Sequence, residues 1–101
     1  MARISAPPSE ALKATSRRFF AAVAALVDAG RLPSLSGFCV DHGLSAPRYR
    51  ALRLAYGLQP KAGYVCPYKG VEVSALVALV SDYAVSGSWL LSGRGSMFSR
   101  P

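Results

Sequence analysis

Acidic residues are scarce in this chain, and their distribution is uneven. The sequence contains 5 Asp and Glu against 12 Lys and Arg, which gives a formal net charge of +7 at pH 7. No acidic residue lies between Asp41 and Glu72, and the charged residues of that interval are all basic: Arg48, Arg50, Arg53, Lys61 and Lys69. A positive field concentrated on one part of a small fold favours a polyanionic partner, either nucleic acid or an anionic membrane surface.

Long apolar runs are also absent. The longest one, residues 19–27, falls well short of the roughly 18 to 20 residues that span a bilayer. Residues 1–10 contain one basic residue and no apolar core of the length that a signal peptide needs. We therefore expect a cytoplasmic protein with no membrane partner.

Cysteine and histidine are few. The spacing of Cys39, His42 and Cys66 matches neither a C-x-x-C pair nor a usual zinc-ligand pattern, so we expect reduced thiols, no metal and no cofactor. A zinc site built from these three residues and an acid is the alternative. Asp41 precedes His42, but no nucleophile motif accompanies the pair. The sequence therefore predicts no catalytic residue and a binding protein; a pocket holding His42 beside another titratable group would instead indicate an enzyme.

The pattern of caps and apolar residues predicts one all-α domain of five helices. Residues 1–14 are rich in Ala, Pro and Ser, which predicts a flexible arm or, as the alternative, a loosely attached extra turn. Residues 15–101 are the predicted folded domain. Thr15 or Ser16 is the expected cap of the first helix, and Ser34, Ser45 and Ser86 are the expected caps of the second, third and fifth. The fourth helix is expected over residues 71–84, where apolar residues recur at helical spacing: Val73, Leu76, Val77, Val80 and Tyr83.

Residues 35–54 carry the most informative pattern, a short helix followed by a glycine turn and a basic helix. Cys39 is small enough for two helices to approach, Gly43 suits a left-handed turn, and Leu44 can fill the corner between the helices. Tyr49 and Leu52 are expected to be buried. This layout is typical of a helix-turn-helix, in which one helix braces another in the DNA major groove. A plain helical hairpin is the alternative.

The end of the chain resembles a known family. Residues 83–98, Tyr-Ala-Val-Ser-Gly-Ser-Trp-Leu-Leu-Ser-Gly-Arg-Gly-Ser-Met-Phe, are similar to the ending of lambda-repressor-like, XRE-type DNA-binding domains. The resemblance implies a five-helix transcriptional regulator of prokaryotic or phage type, with helices two and three on double-stranded operator DNA and helix five in the core and at a homodimer interface. The chain departs from the family at Leu35, where a glutamine is common, at Pro47, and in the longer loop or small wing of residues 57–70.

The helical wheel of the third helix, residues 45–56, assigns the contacts with DNA. Its outward face supplies the predicted base contacts, which are Arg50, Pro47 and Leu54. Arginine recognises guanine through two hydrogen bonds. The alternative for Arg50 is a contact with a phosphate, and the alternative for Leu54 is packing against residues 64–67. One predicted contact with the DNA backbone is the helix N-terminus at Ser45. The others are cations on the flanks of the helix and in the loop: Arg48, Arg53, Lys61 and Lys69. The alternative for the two lysines is that solvent alone surrounds them.

Trp89 and Leu90 have two interpretations. They close the core, or they form a dimer or partner surface, because aromatic residues anchor both kinds of contact. The second interpretation supports an alternative function, a helical protein-interaction adaptor or phage accessory factor that keeps the fold and binds a protein through the Trp89 region. No small-molecule site is evident from the sequence.

Overall fold

The computed structural model describes residues 9–99. In this range the chain forms five helices: α1 (Glu10–Asp28), α2 (Leu35–Asp41), α3 (Ala46–Tyr56), α4 (Val73–Tyr83) and α5 (Gly87–Ser92). Within the same range no strand forms, apart from an isolated antiparallel bridge between Val85 and Phe98. The all-α prediction is confirmed. None of these helices is long and apolar enough to cross a membrane.

The first helix begins earlier than the sequence predicts. Ser9 is its cap, because the Ser9 hydroxyl accepts a hydrogen bond from the Leu12 amide at 3.1 Å. The expected caps, Thr15 and Ser16, are buried inside α1 instead. Residues 10–14, which the sequence assigns to the arm or to an extra turn, are therefore helical and continuous with the rest of α1. Glu, Ala, Leu and Lys all have good helix propensity. Residues 1–8, also part of that predicted arm, lie outside the described residues.

The other predicted helix ends are confirmed by their cap geometry. Each serine cap accepts a hydrogen bond from the backbone N–H three residues later, at Ser34, Ser45 and Ser86. Glycines with positive φ follow three of the helices, at Gly30, Gly43 and Gly93. Because side chains disfavour that backbone conformation, these positions stop the helices where the sequence places their ends.

An aromatic cluster fills the space between α1, α2 and α3. The Phe19 ring lies 5.0 Å from that of Phe20, 5.8 Å from that of Phe38 and 5.7 Å from that of Tyr49, measured between centroids. Edge-on and tilted contacts of this kind add to the free energy gained by burying the rings. α2 and α3 therefore pack against the aromatic side chains of α1.

The helical spacing of apolar residues in α4 does not identify its buried face, although Leu76 and Tyr83 do pack against the core. Val73, Val77 and Val80 are 74%, 54% and 42% exposed, whereas the buried residues of α4 are Ala75, Ala78 and Leu79. Apolar residues occur on almost every side of this helix, so their spacing alone does not distinguish the core face from the solvent face. The rotation of α4 is set by the preceding residues, since Val71 is buried and Glu72 bonds to Tyr49.

Candidate nucleic-acid interface

The turn between α2 and α3 consists of residues 42–45 and is held by local backbone contacts. Gly43 has a φ of 68°, and the Leu44 amide donates to the Cys39 carbonyl at 2.8 Å. The Cys39 side chain has no exposed surface, and burial raises the pKa of its thiol. A protonated, enclosed thiol is inert and acts as a small apolar group. Cys39 therefore allows the close approach of α2 and α3 that the sequence predicts.

The buried face of α3 is held in place at Tyr49. The Tyr49 hydroxyl donates to a Glu72 carboxylate oxygen at 2.9 Å and accepts from the Glu72 amide at 3.0 Å. Burial raises the pKa of the Tyr49 phenol well above its usual value, so the group stays protonated and keeps its donor. Leu52, one turn further on, is also fully buried. These contacts fix the rotation of α3 and so determine which side chains point outward.

The outward face of α3 carries the side chains expected at DNA. Pro47, Arg50 and Arg53 are exposed, and Leu54 is partly so. Ser45 is exposed at the start of the helix, where its hydroxyl accepts from the Arg48 amide at 3.3 Å. Pro47 has no N–H and the Arg48 amide is bonded to Ser45, so the Ala46 amide is the N–H that the first three residues of α3 leave for an anion. The helix dipole favours an anion at the same end of α3.

Arg50 lies at the junction of the two helices. One guanidinium nitrogen, Nη1, donates to the Ser36 hydroxyl on α2 at 3.2 Å. No sequence pattern points to Ser36, because this contact joins two helices whose relative placement is set by tertiary packing. The hydrogen bond restricts the rotamers of Arg50 and leaves its other donors available.

Arg48 has a different environment from the other arginines of α3. Its guanidinium carbon lies 4.6 Å from the centroid of the Tyr68 ring, a stacking contact between a cation and an aromatic face. Its Nε is buried and finds no hydrogen-bond partner among residues 9–99. The Tyr56 hydroxyl also donates to the Tyr68 carbonyl, at 3.5 Å. Arg48 and Tyr56 therefore hold the following loop against α3.

The connection between α3 and α4 is a loop without a hairpin in the described structure. The Lys61 amide donates to the Leu54 carbonyl at 2.7 Å, and a turn through Gly63 brings the Tyr64 amide 3.2 Å from the Lys61 carbonyl. The loop predicted at residues 57–70 is present, and the alternative of a small wing is not formed among the described residues. Both Lys61 and Lys69 are exposed on this loop. The loop thus places two cations on a segment that is tied to α3.

The predicted partner surface at the carboxyl end needs a correction. Leu90 has no exposed surface, and its carbonyl accepts a hydrogen bond from Arg18 Nε at 2.8 Å. Leu90 therefore belongs to the core and is not available to a partner, because α5 turns that side chain toward α1. Trp89 is half-buried against the core. The neighbouring Leu91 is the residue that α5 exposes, at 63%.

Leu91 and the exposed valines of α4 form one apolar surface, the α4–α5 face, defined by Val73, Val77, Val80 and Leu91. A groove of about 330 Å³ runs along it, and the groove lining contains no charged residue. Large apolar side chains exposed together on adjacent helices are the kind of patch that marks a protein interaction surface. The α4–α5 face is therefore a second candidate interface.

His42 links α2 to α4 and lies apart from these surfaces. Its Nε2 is 3.3 Å from the Tyr83 hydroxyl, its Nδ1 is 3.8 Å from an Asp82 carboxylate oxygen, and its ring is 4.6 Å from that of Phe38. Among residues 9–99 no group of three or more His, Cys, Asp or Glu side chains is arranged to hold a metal. The contacts of His42 connect the ends of two helices.

Basic and apolar surfaces thus lie on different helices of one small fold. The basic surface combines the outward side of α3 with the loop that Tyr68 anchors, and the apolar surface combines α4 with α5. No protein-family model, curated protein or solved structure matches this chain.

Proposed function

We propose that the chain is a cytoplasmic DNA-binding protein of the lambda-repressor-like type, which regulates transcription and is not an enzyme. Double-stranded DNA would receive α3 in its major groove. The observation that carries the proposal is the outward face of α3, where exposed arginines lie in an interval of the chain without any acidic residue. The burial of Tyr49 and Leu52 supports the proposal, because a recognition helix must always present the same face to the DNA.

Arg50 is assigned to a base edge. It is the exposed arginine nearest the junction of α2 and α3, and its bond to Ser36 holds the guanidinium there. A guanidinium with free donors can pair with both acceptors of guanine in the major groove. Pro47 and Leu54, on the same outward side, are assigned to apolar contacts with bases.

The DNA backbone is assigned to the groups around this face. Arg53, Lys61 and Lys69 are exposed cations, and the Ala46 amide beside Ser45 can donate to a phosphate at the start of α3. Arg48 contributes indirectly, since its stacking on Tyr68 keeps the lysine-bearing loop beside α3.

The α4–α5 face is assigned to a second copy of the chain. Its support is the exposure of Val73, Val77 and Val80 on one side of α4, because symmetric dimers bury the same surface of both copies. Val77→Asp should shift the mass measured by light scattering from dimer to monomer, whereas Val65→Asp, an exposed loop valine, should not. The same valines favour the alternative function, an adaptor that binds another protein, and a monomeric wild-type chain would count for that alternative.

Selection of bound sites from a random DNA pool tests the DNA-binding proposal. We expect enrichment of a motif containing guanine, and for a dimer two half-sites about 34 Å apart. Recovery of an unenriched pool would contradict the assigned role of α3. So would a loss of DNA binding in Val77→Asp without a loss in Arg50→Ala.

A further inference from the structure

A second groove, of about 540 Å³, lies between α1, the start of α2 and the end of α3. Its floor consists of the buried side chains Phe20, Val23 and Leu35, and Leu54 and Leu58 in its wall are 42% and 43% exposed. Small-molecule sites in proteins have volumes of roughly 300 to 1,000 Å³ and are lined mostly by apolar groups with a few polar ones. The groove has this size and composition.

Two charged residues, Asp28 and Arg53, belong to the lining of this groove. They have opposite signs, yet neither forms an ion pair with the other or with another residue among residues 9–99. Asp28 is at the end of α1 and Arg53 is in the last turn of α3. The groove therefore offers one uncompensated anion and one uncompensated cation beside an apolar floor.

We propose that this groove binds a small zwitterion with an apolar side chain, the chemistry of a hydrophobic α-amino acid. The ammonium group of such a ligand pairs with Asp28, its carboxylate pairs with the planar guanidinium of Arg53, and its side chain covers Phe20 and Val23. A ligand with only a carboxylate would bring a like charge to Asp28, and a ligand with only an amine would bring one to Arg53. The zwitterion alone supplies a counter-ion to both residues.

The lining comes from three separated segments of the chain, residues 20–28, 33–35 and 53–59. No spacing pattern joins them, which is why the sequence shows no small-molecule site. Arg53 is also one of the cations assigned to DNA phosphates, so an occupant of the groove would engage a side chain of the basic surface. The binding proposal itself does not depend on DNA and is tested without it.

Three probes that share a phenylethyl body separate the charge requirements: L-phenylalanine, 3-phenylpropionate and 2-phenylethylamine. Each is titrated to about 10 mM into the ¹⁵N-labelled full chain while amide NMR signals are followed. We expect L-phenylalanine to give saturable shifts at Val27, Leu54 and Leu58, with an affinity roughly threefold to tenfold higher than that of either singly charged probe.

Matched variants locate the binding. Arg53→Gln and Asp28→Asn each alter an exposed charge, so folding should persist, and each should lower the affinity for L-phenylalanine roughly threefold or more. Arg94→Gln, an exposed arginine beyond α5, should leave that affinity unchanged. Leu58→Asp should abolish the shifts, because a carboxylate then enters the apolar wall.

The proposal would be overturned by equal affinities for the three probes, by tighter binding of either singly charged probe, or by no saturable shift with L-phenylalanine. Failure of this titration leaves DNA binding intact, and failure to bind DNA leaves the titration intact. The two proposals can therefore fail separately.

Discussion

Two adjacent stretches of this chain differ sharply in charge and end on different surfaces. Residues 42–69 contain five cations and no acidic residue, whereas residues 70–93 contain no Lys or Arg and two acidic residues, Glu72 and Asp82. The first stretch includes α3 and its loop, and the second includes α4 and α5. Charges that are separated along the sequence are also separated in space, so the fold has a basic surface on α3 and its loop and an apolar surface on α4 and α5.

The two stretches also differ in how strongly their sequences fix the orientation of a helix. In α3, polar and apolar residues alternate with a helical period, and only one face can be buried. In α4 nearly every face is apolar, so contacts from outside the helix decide which one enters the core. A uniform apolar pattern therefore specifies a helix but not its rotation.

The largest expected effect is a difference between two positions of α4. Leu79 is fully buried and Val77 is exposed, so Leu79→Ala should lower the free energy of unfolding by about 2 to 5 kcal/mol. Val77→Ala should change it by no more than about 0.5 kcal/mol. Urea unfolding followed by circular dichroism measures both. Equal losses at the two positions would mean that α4 is rotated differently.

Tyr49→Phe tests the link between the two stretches. Loss of the two hydrogen bonds with Glu72 should cost about 1 to 3 kcal/mol at neutral pH. Because the folded state raises the pKa of Tyr49, the stability that this phenol contributes is complete below pH of about 10 and is lost as the pH rises above that value. Urea midpoints should therefore converge for wild type and variant in alkaline buffer, and a constant difference would contradict the assignment.

Arg50→Ala and Lys61→Ala distinguish a side chain proposed to contact bases from one proposed to contact the DNA backbone. Arg50→Ala should reduce discrimination between a selected site and its guanine-substituted version by about 1 to 3 kcal/mol. Lys61→Ala should weaken both sequences by a similar factor. Anisotropy titrations with the two duplexes measure the difference, and an identical pattern for both variants would remove the distinction.

The smallest expected effect concerns the loop anchor. Replacing either partner of the stacked pair, with Arg48→Met or Tyr68→Leu, should remove a coupling of about 0.5 to 1 kcal/mol. A double-mutant cycle isolates this coupling from the other consequences of each substitution. Additive single-variant effects would show that the stacking at 4.6 Å does not hold the loop.

Local chemistry explains what the sequence predicts correctly. Ser34, Ser45 and Ser86 cap helices through bonds to residues three positions away, and Gly43 supplies a turn that needs positive φ. Such contacts lie within a few residues and are visible as short patterns. The five-helix order and the buried face of α3 follow from them.

Contacts between distant residues explain the rest. The hydrogen bonds from Tyr49 to Glu72 and from Arg50 to Ser36 depend on how the helices pack. No local sequence pattern predicts them. The rotation of α4 and the burial of Leu90 depend on the same packing. The early start of α1 does have a local sequence pattern, a capping serine followed by an acidic residue, Ser9 and Glu10. The low apolar content of residues 1–14 instead favours an arm outside the domain.

The salt dependence of DNA binding tests the central claim most directly. Neutralised phosphates release counterions, so the logarithm of the association constant falls with the logarithm of salt concentration by about 0.9 for each phosphate contact. Three assigned cations, Arg53, Lys61 and Lys69, predict a slope of about −2.7 or steeper per chain. Arg53→Gln should reduce its magnitude by about 0.9 and Arg94→Gln should not. Absence of binding at low salt, or equal slopes for the two variants, would contradict the assignment of α3 and its loop to DNA.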